Sequence, residues 1–172
     1  LADPARHTEL LDSLKYIPLS SPPGGSYLSL GGEIRQRYEY FNNATWGQGT
    51  QDSSGYLLQR YMLHADLHLG RRWRFFGLLK SGIATGREGG PRLTDEDRLD
   101  LNQGFAEVRL AEAKAAPVLR VGRQEFAFGS SRMVAPREGP NVRQSFDGAR
   151  LSWLLAGWSL NALATRPVET NR

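Results

Sequence analysis

Glu33, Arg35, Arg37 and Glu39 occupy alternate positions within residues 28–41. In an extended chain their side chains leave on one face, about 6.6–6.8 Å apart. A helix would scatter them around its circumference. A row of fixed charges of mixed sign breaks no bond; it attracts, aligns and releases an ionic partner. Arginine suits a carboxylate partner, because its planar fork donates two parallel hydrogen bonds. The same alternation carries Arg60, Arg74, Glu107, Arg109, Arg120 and Arg150 further along the chain. These arginines, with Arg123, are the candidate ligands for an anion. Glu33, Glu39 and Glu107 are their candidate organisers, spacing the cations so that none traps its partner.

Other chemistry has weaker footing. His64-x-Asp66-x-His68 has the composition of a metal site, but on a strand its histidines lie about 13 Å apart, so it reads as a polar face. Thr94-Asp-Glu-Asp97 lacks the spacing and glycine of a calcium loop and reads as a solvated loop. Gly129-Ser130-Ser131 is not a nucleophile elbow, and no phosphate loop or dinucleotide fingerprint appears. The sequence thus predicts no cofactor, no metal site and no catalytic set: not an enzyme. Its arginines are not interleaved with exposed aromatics, so no nucleic-acid partner is expected.

The elements that must position these charges are strands. In 28–41 the residues opposite the charges are apolar, ending in Tyr38 and Tyr40. Two-faced segments recur at 56–69, 73–83, 99–110, from 118, at 146–154 and at 158–166, giving seven candidate strands. Arg123 falls on the apolar parity of its strand, and a β-bulge at Gly122 is expected to re-aim it. Residues 8–15 form a short helical candidate, and residues 1–26 read as a lead-in to the strands of 27–172. The connections run long, short, long, short, long, short. Antiparallel neighbours joined in that way put every long loop at one end and every short turn at the other. Trp73, Trp153 and Trp158 flank short turns, while Tyr38 and Tyr40 approach a long loop, which predicts an aromatic girdle at each end of an apolar band.

The chain has 172 residues, 40% of them hydrophobic, with a formal net charge of +4 and no cysteine. No apolar run approaches the ~18 residues of a membrane helix, which leaves membrane strands open. Two arrangements fit the alternation. The apolar faces pack together as a soluble sandwich with wet charged faces, or they meet lipid while the charges line a wet lumen. A lipid-facing Arg or Lys at mid-bilayer costs ~2–4 kcal/mol, so in the second case the charges face inward. Leu63, Val108, Leu151 and Leu160 are then expected outside, and Arg35, Arg60 and Arg109 on the concave side.

Leu14-Lys-Tyr-Ile-Pro-Leu19, Leu30-Gly-Gly-Glu-Ile-Arg35, Leu119-Arg-Val-Gly-Arg-Gln124, Phe146-Asp-Gly-Ala-Arg150 and Ala164-Thr-Arg-Pro-Val168 resemble segments of the alginate export family of bacterial outer-membrane proteins. The resemblance runs from about residue 14 to the end. It implies an antiparallel, up-and-down transmembrane β-barrel of about 18 strands, within the range of such barrels, of which this chain would be the N-terminal portion. It also implies a bacterial outer-membrane location, a periplasmic position for residues 1–26, and an arginine-rich lumen that passes an anionic polysaccharide. The expected partners are the lipid bilayer of the outer membrane and an anionic polysaccharide or other anionic solute. A general anion or small-solute porin, a soluble carbohydrate-binding β-domain and an outer-membrane enzyme using lumen carboxylates stand as alternatives. Seven strands are expected to form an open, curved sheet whose first and last members are bare edges. Arg35, Arg37, Arg60 and Arg74 are expected to share one patch of wall. Replacing Arg35, Arg60 and Arg74 by glutamate is expected to reverse or abolish an anion preference with the barrel still folded.

Overall fold

Alternation of apolar and polar residues becomes a single antiparallel sheet in the computed structural model, which describes residues 11–21, 25–113, 115–128, 130–131 and 134–169. A short helix, α1 (Asp12–Lys15), and a two-residue strand, β1 (Ile17–Pro18), come first. Seven longer strands complete the sheet: β2 (Tyr27–Glu39), β3 (Tyr56–Leu69), β4 (Trp73–Thr85), β5 (Asp97–Arg109), β6 (Val118–Gln124), β7 (Phe146–Leu155) and β8 (Trp158–Pro167). Their order in the sheet is their order in the chain, so the topology is up-and-down. The sheet is open: among the described residues β8 pairs with β7 alone. The protein is all-β, as its alternation requires.

Two expectations about the start of the chain change. Residues 8–10 of the helical candidate lie outside the described residues, and the rest of the candidate forms only the single turn of α1. Nor is β2 bare along its whole edge, because Ile17 pairs with Leu28 and Pro18 with Tyr27. Proline fits an edge strand, where its missing N–H interrupts no central ladder.

Turn chemistry fixes the short ends. Ala156 and Gly157 both have positive φ, 48° and 84°, the combination that matches a two-residue hairpin to the twist of its strands. The bulge expected at Gly122 is absent. Both β5–β6 and β6–β7 pair without a register shift. Gly122 instead allows close backbone approach: at its φ of 129°, a Cβ would lie 2.3 Å from the Gly104 carbonyl oxygen. The irregularities are in β5: Leu78 pairs with Gln103 and Leu79 with Leu101, leaving Asn102 as the extra residue, and a second shift lies between the Lys80–Asp100 and Gly82–Asp97 pairs. Asn102 is fully buried and donates its Nδ2–H to Glu125 Oε1 at 2.6 Å.

The two faces are inverted relative to a soluble sheet. On the apolar face Ile34 is 74% exposed and Leu63 63%. Leu151 and Leu160 are exposed there too, and Val108 is half-buried on the same face, opposite Trp73 and Leu119. On the charged face Arg60 is 1% exposed and Lys80 3%. The described residues form one sheet, so no second layer covers the apolar side as a sandwich demands. Trp73, Trp153 and Trp158 are exposed on it at the short-turn end, and Tyr38 and Tyr40 are exposed toward the long-loop end.

Candidate functional site

Register sorts the charged face into two stations. Near the short turns, His68 pairs with Arg74, Arg74 with Glu107, Glu107 with Arg120, and Arg120 with Arg150. Neighbouring strands lie about 4.8 Å apart, so these residues form a belt across five strands. Arg74 donates its Nε and Nη2 protons to the two oxygens of Asp66 at 2.8 and 2.9 Å. Arg120 donates to Glu107 Oε2 at 2.8 and 2.6 Å. Arg150 donates instead to a neutral acceptor, Asn161 Oδ1, at 3.1 and 2.8 Å. Three guanidiniums of the belt therefore sit with two carboxylates, Asp66 and Glu107.

The belt rests on stacked rings. Phe76 and Phe105 are 5.1 Å apart, the Arg120 guanidinium is 4.0 Å from the Phe105 centroid, and that of Arg74 is 5.5 Å from both. Ring and carboxylate together fix each fork in one plane. Arg109 lies one alternate position beyond Glu107 and lines a small cavity of about 90 Å³ with His68, Arg71 and Arg72.

The second station is toward the long loops. Arg35 pairs directly with Arg60, and Arg37 is two residues along β2. Arg74 does not join them. It is opposite His68, eight residues from Arg60 along β3, or about 27 Å at ~3.4 Å per residue.

Residues 134–145, in the connection between β6 and β7, fold onto this second station. Arg35 donates to the Glu138, Gly139 and Pro140 carbonyls at 3.0, 3.3 and 3.3 Å, and Arg37 to the Gly139 carbonyl at 2.9 Å. Arg60 bridges Glu33 and Glu138, each at 2.6 Å. Arg37 is also 2.7 Å from Glu39, whose other oxygen accepts a short hydrogen bond from Tyr56. Asn141, fully buried, directs its amide protons at the carbonyls of Gln59, Ile83 and Asp95 at 2.9, 3.3 and 2.8 Å. Gly82 leaves room for it, since a Cβ there would stand 3.1 Å from the Asn141 nitrogen. The arginines at this station thus hold a loop, and the belt holds Arg150, which among the described residues has no carboxylate hydrogen-bond partner.

Arg123 stays on the face of Leu119 and Val121. It is neutralised there by Asp147, directly opposite on β7, at 2.9 Å, and by Asp100 at 3.5 Å. The residues that sequence reasoning passed over are Glu125, Glu138, Asn141 and Arg143. Arg143 closes the cluster by pairing with both Glu125 and Glu138. Their one visible signal is Pro136-Arg-Glu-Gly-Pro140, a charged pair bracketed by prolines inside a long connection.

Burial alone would raise the Glu138 carboxyl. The Arg60 hydrogen bond and the charges of Arg143, Arg60 and Arg35 outweigh it and hold the group below the ordinary glutamate range. A depressed carboxylate contributes its stability above the ordinary pKa and loses it as pH falls through the lower one. The loop is therefore expected to stay docked at neutral and mildly acid pH and to loosen only below the usual glutamate titration. A spin label at Arg137, read against pH, should remain immobile until that point. Release at pH 6 would contradict the anchoring role of Glu138.

The model of the alginate export family matches residues 26–172. No curated protein and no solved structure gives a match.

Proposed function

The chain belongs to the alginate export family, and from that premise we propose that it forms part of the wall of an outer-membrane pore for an anionic polysaccharide. Proteins of this family are outer-membrane β-barrels. The observation that carries the reading is the inversion of the faces. Exposed leucine, isoleucine and tryptophan on one side suit lipid and its interfaces. Enclosed arginine, glutamate and aspartate on the other suit a wet lumen.

Transport on this reading is diffusive. A carboxylate entering at the short-turn end meets forks already held flat by Phe76 and Phe105. One charge pair at 4 Å is worth about 1 kcal/mol in water and about 4 kcal/mol at an effective dielectric near 20. Asp66 and Glu107 offset most of the belt's charge, so each uronate is attracted and then released. The docked loop narrows the path at the second station, where Arg35, Arg37 and Arg60 are occupied with holding it.

The membrane face is tested by two neighbouring residues. Leu63→Arg is expected to cost ~2–4 kcal/mol, the penalty of a cation in mid-bilayer, while His64→Arg on the opposite face costs much less. Folding into liposomes, read as the fraction of heat-modifiable protein, should fall for the first and hold for the second. Equal behaviour would remove the lipid assignment. The cargo is tested by flux from loaded liposomes: trimannuronate and chloride should both leave. Chloride alone would make the protein a general anion porin.

A further inference from the structure

Three rings from three segments form a ladder at the short-turn end. Tyr16, just ahead of β1, stacks on Tyr27 of β2 with centroids 4.8 Å apart and planes 29° apart. Tyr27 stacks on His68 of β3 at 4.4 Å and 9°. The backbone fixes the ladder, because Tyr27 pairs with Pro18 on one side and His68 on the other. Among the described residues Tyr16 and His68 are each stacked by a ring on one side only, by Tyr27. The three rings line a cavity of about 450 Å³ together with Lys15, Asp66 and Arg74. Asp66 is held between Arg74 at 2.8 Å and His68 Nε2 at 3.2 Å, so its orientation is set before anything binds.

A pyranose ring has two kinds of surface. Its C–H bonds make an apolar face that lies on an aromatic ring. Its edge of hydroxyls exchanges hydrogen bonds with planar charged groups such as arginine and aspartate. A hexuronate adds one carboxylate, which wants a cation. The cavity offers all three: stacked rings, the Arg74–Asp66 pair, and the half-exposed ammonium of Lys15, which holds Asp12 at 2.6 Å and, with three donor protons, can take a second carboxylate. Rings and pair are already ordered, so less entropy is lost on binding.

We propose that this cavity is a binding site for one pyranose residue, with preference for a hexuronate, where a polysaccharide docks before it moves along the belt. Arg74 belongs to both, so a chain leaving the rings meets Glu107 and Arg120 next. Passage onward rests on the pore reading; binding in the cavity does not.

The test is saturation-transfer NMR of trimannuronate with the protein in detergent micelles, which needs no current. The C–H protons on one face of a single sugar residue should receive strong saturation. Tyr16→Ala should weaken binding about three- to tenfold, the size of one aromatic contact, and Tyr16→Phe should restore it. The neutral maltotriose should bind more weakly. Unchanged affinity in Tyr16→Ala, an equal loss in Tyr16→Phe, or equal binding of maltotriose would overturn the site. Failure of the pore reading shows separately, as absence of flux from loaded liposomes.

Discussion

Arg60→Glu is expected to cost about 3–5 kcal/mol, the scale for a buried charge left without compensation. Arg60 is 1% exposed and bridges Glu33 and Glu138. A glutamate there would be buried beside two carboxylates and would remove the cation that pairs them. Against a typical stability of about 5–15 kcal/mol this is a large fraction. Placement decides the size. The Glu138 side chain is 60% exposed, so Glu138→Gln should cost about 0–1 kcal/mol, as exposed pairs do. Urea midpoints of the refolded variants measure the contrast. Arg60→Glu with the midpoint of the unmodified protein would show that the second station is wetter than its burial indicates. The same burial makes charge reversal at Arg60 costlier to the sheet than the sequence alone suggests.

Selectivity is expected to depend on the belt instead. The triple variant Arg74→Gln, Arg120→Gln, Arg150→Gln should turn an anion preference into a cation preference. Glutamine still donates to Asp66, Glu107 and Asn161, so the polar contacts survive while three charges go. Two carboxylates then remain where three guanidiniums had faced them. Each lost charge changes the attraction for an anion at 4 Å by about 1–4 kcal/mol. The preference should shrink in concentrated salt, because screening sets in beyond ~8–10 Å at physiological ionic strength. Reversal potentials of the variant beside the unmodified protein read it. Retained anion preference in the triple variant would take the belt out of the mechanism.

The strands are legible because each face repeats with period two, and the structure moves their ends by only a few residues. β1 is not legible: two residues, one of them proline, carry no periodicity. Sequence points to a glycine for the bulge, yet it falls at Asn102, whose buried side chain needs Glu125 from the next connection. The grouping of the arginines fails for a different reason. β2 and β3 are joined by a long loop, which leaves their register open in sequence. The Gly70–Arg72 turn does fix His68 opposite Arg74, and counting back from it already separates Arg74 from Arg60. The docking of the loop is barely readable, beyond the charged pair bracketed by Pro136 and Pro140. Much of what Arg35 and Arg37 grip is the loop's backbone carbonyls, and a carbonyl has no residue type.

In a membrane the apolar face is expected to meet lipid and the charged face water. The protein contains no cysteine, so single cysteines along β3 report accessibility without background. In the protein folded into bilayers, cysteines at His64 and His68 should react with a water-soluble thiol reagent, and those at Leu63 and Ala65 should not. Reaction at Leu63 and Ala65 with protection at His64 and His68, or no alternation at all, would contradict the account.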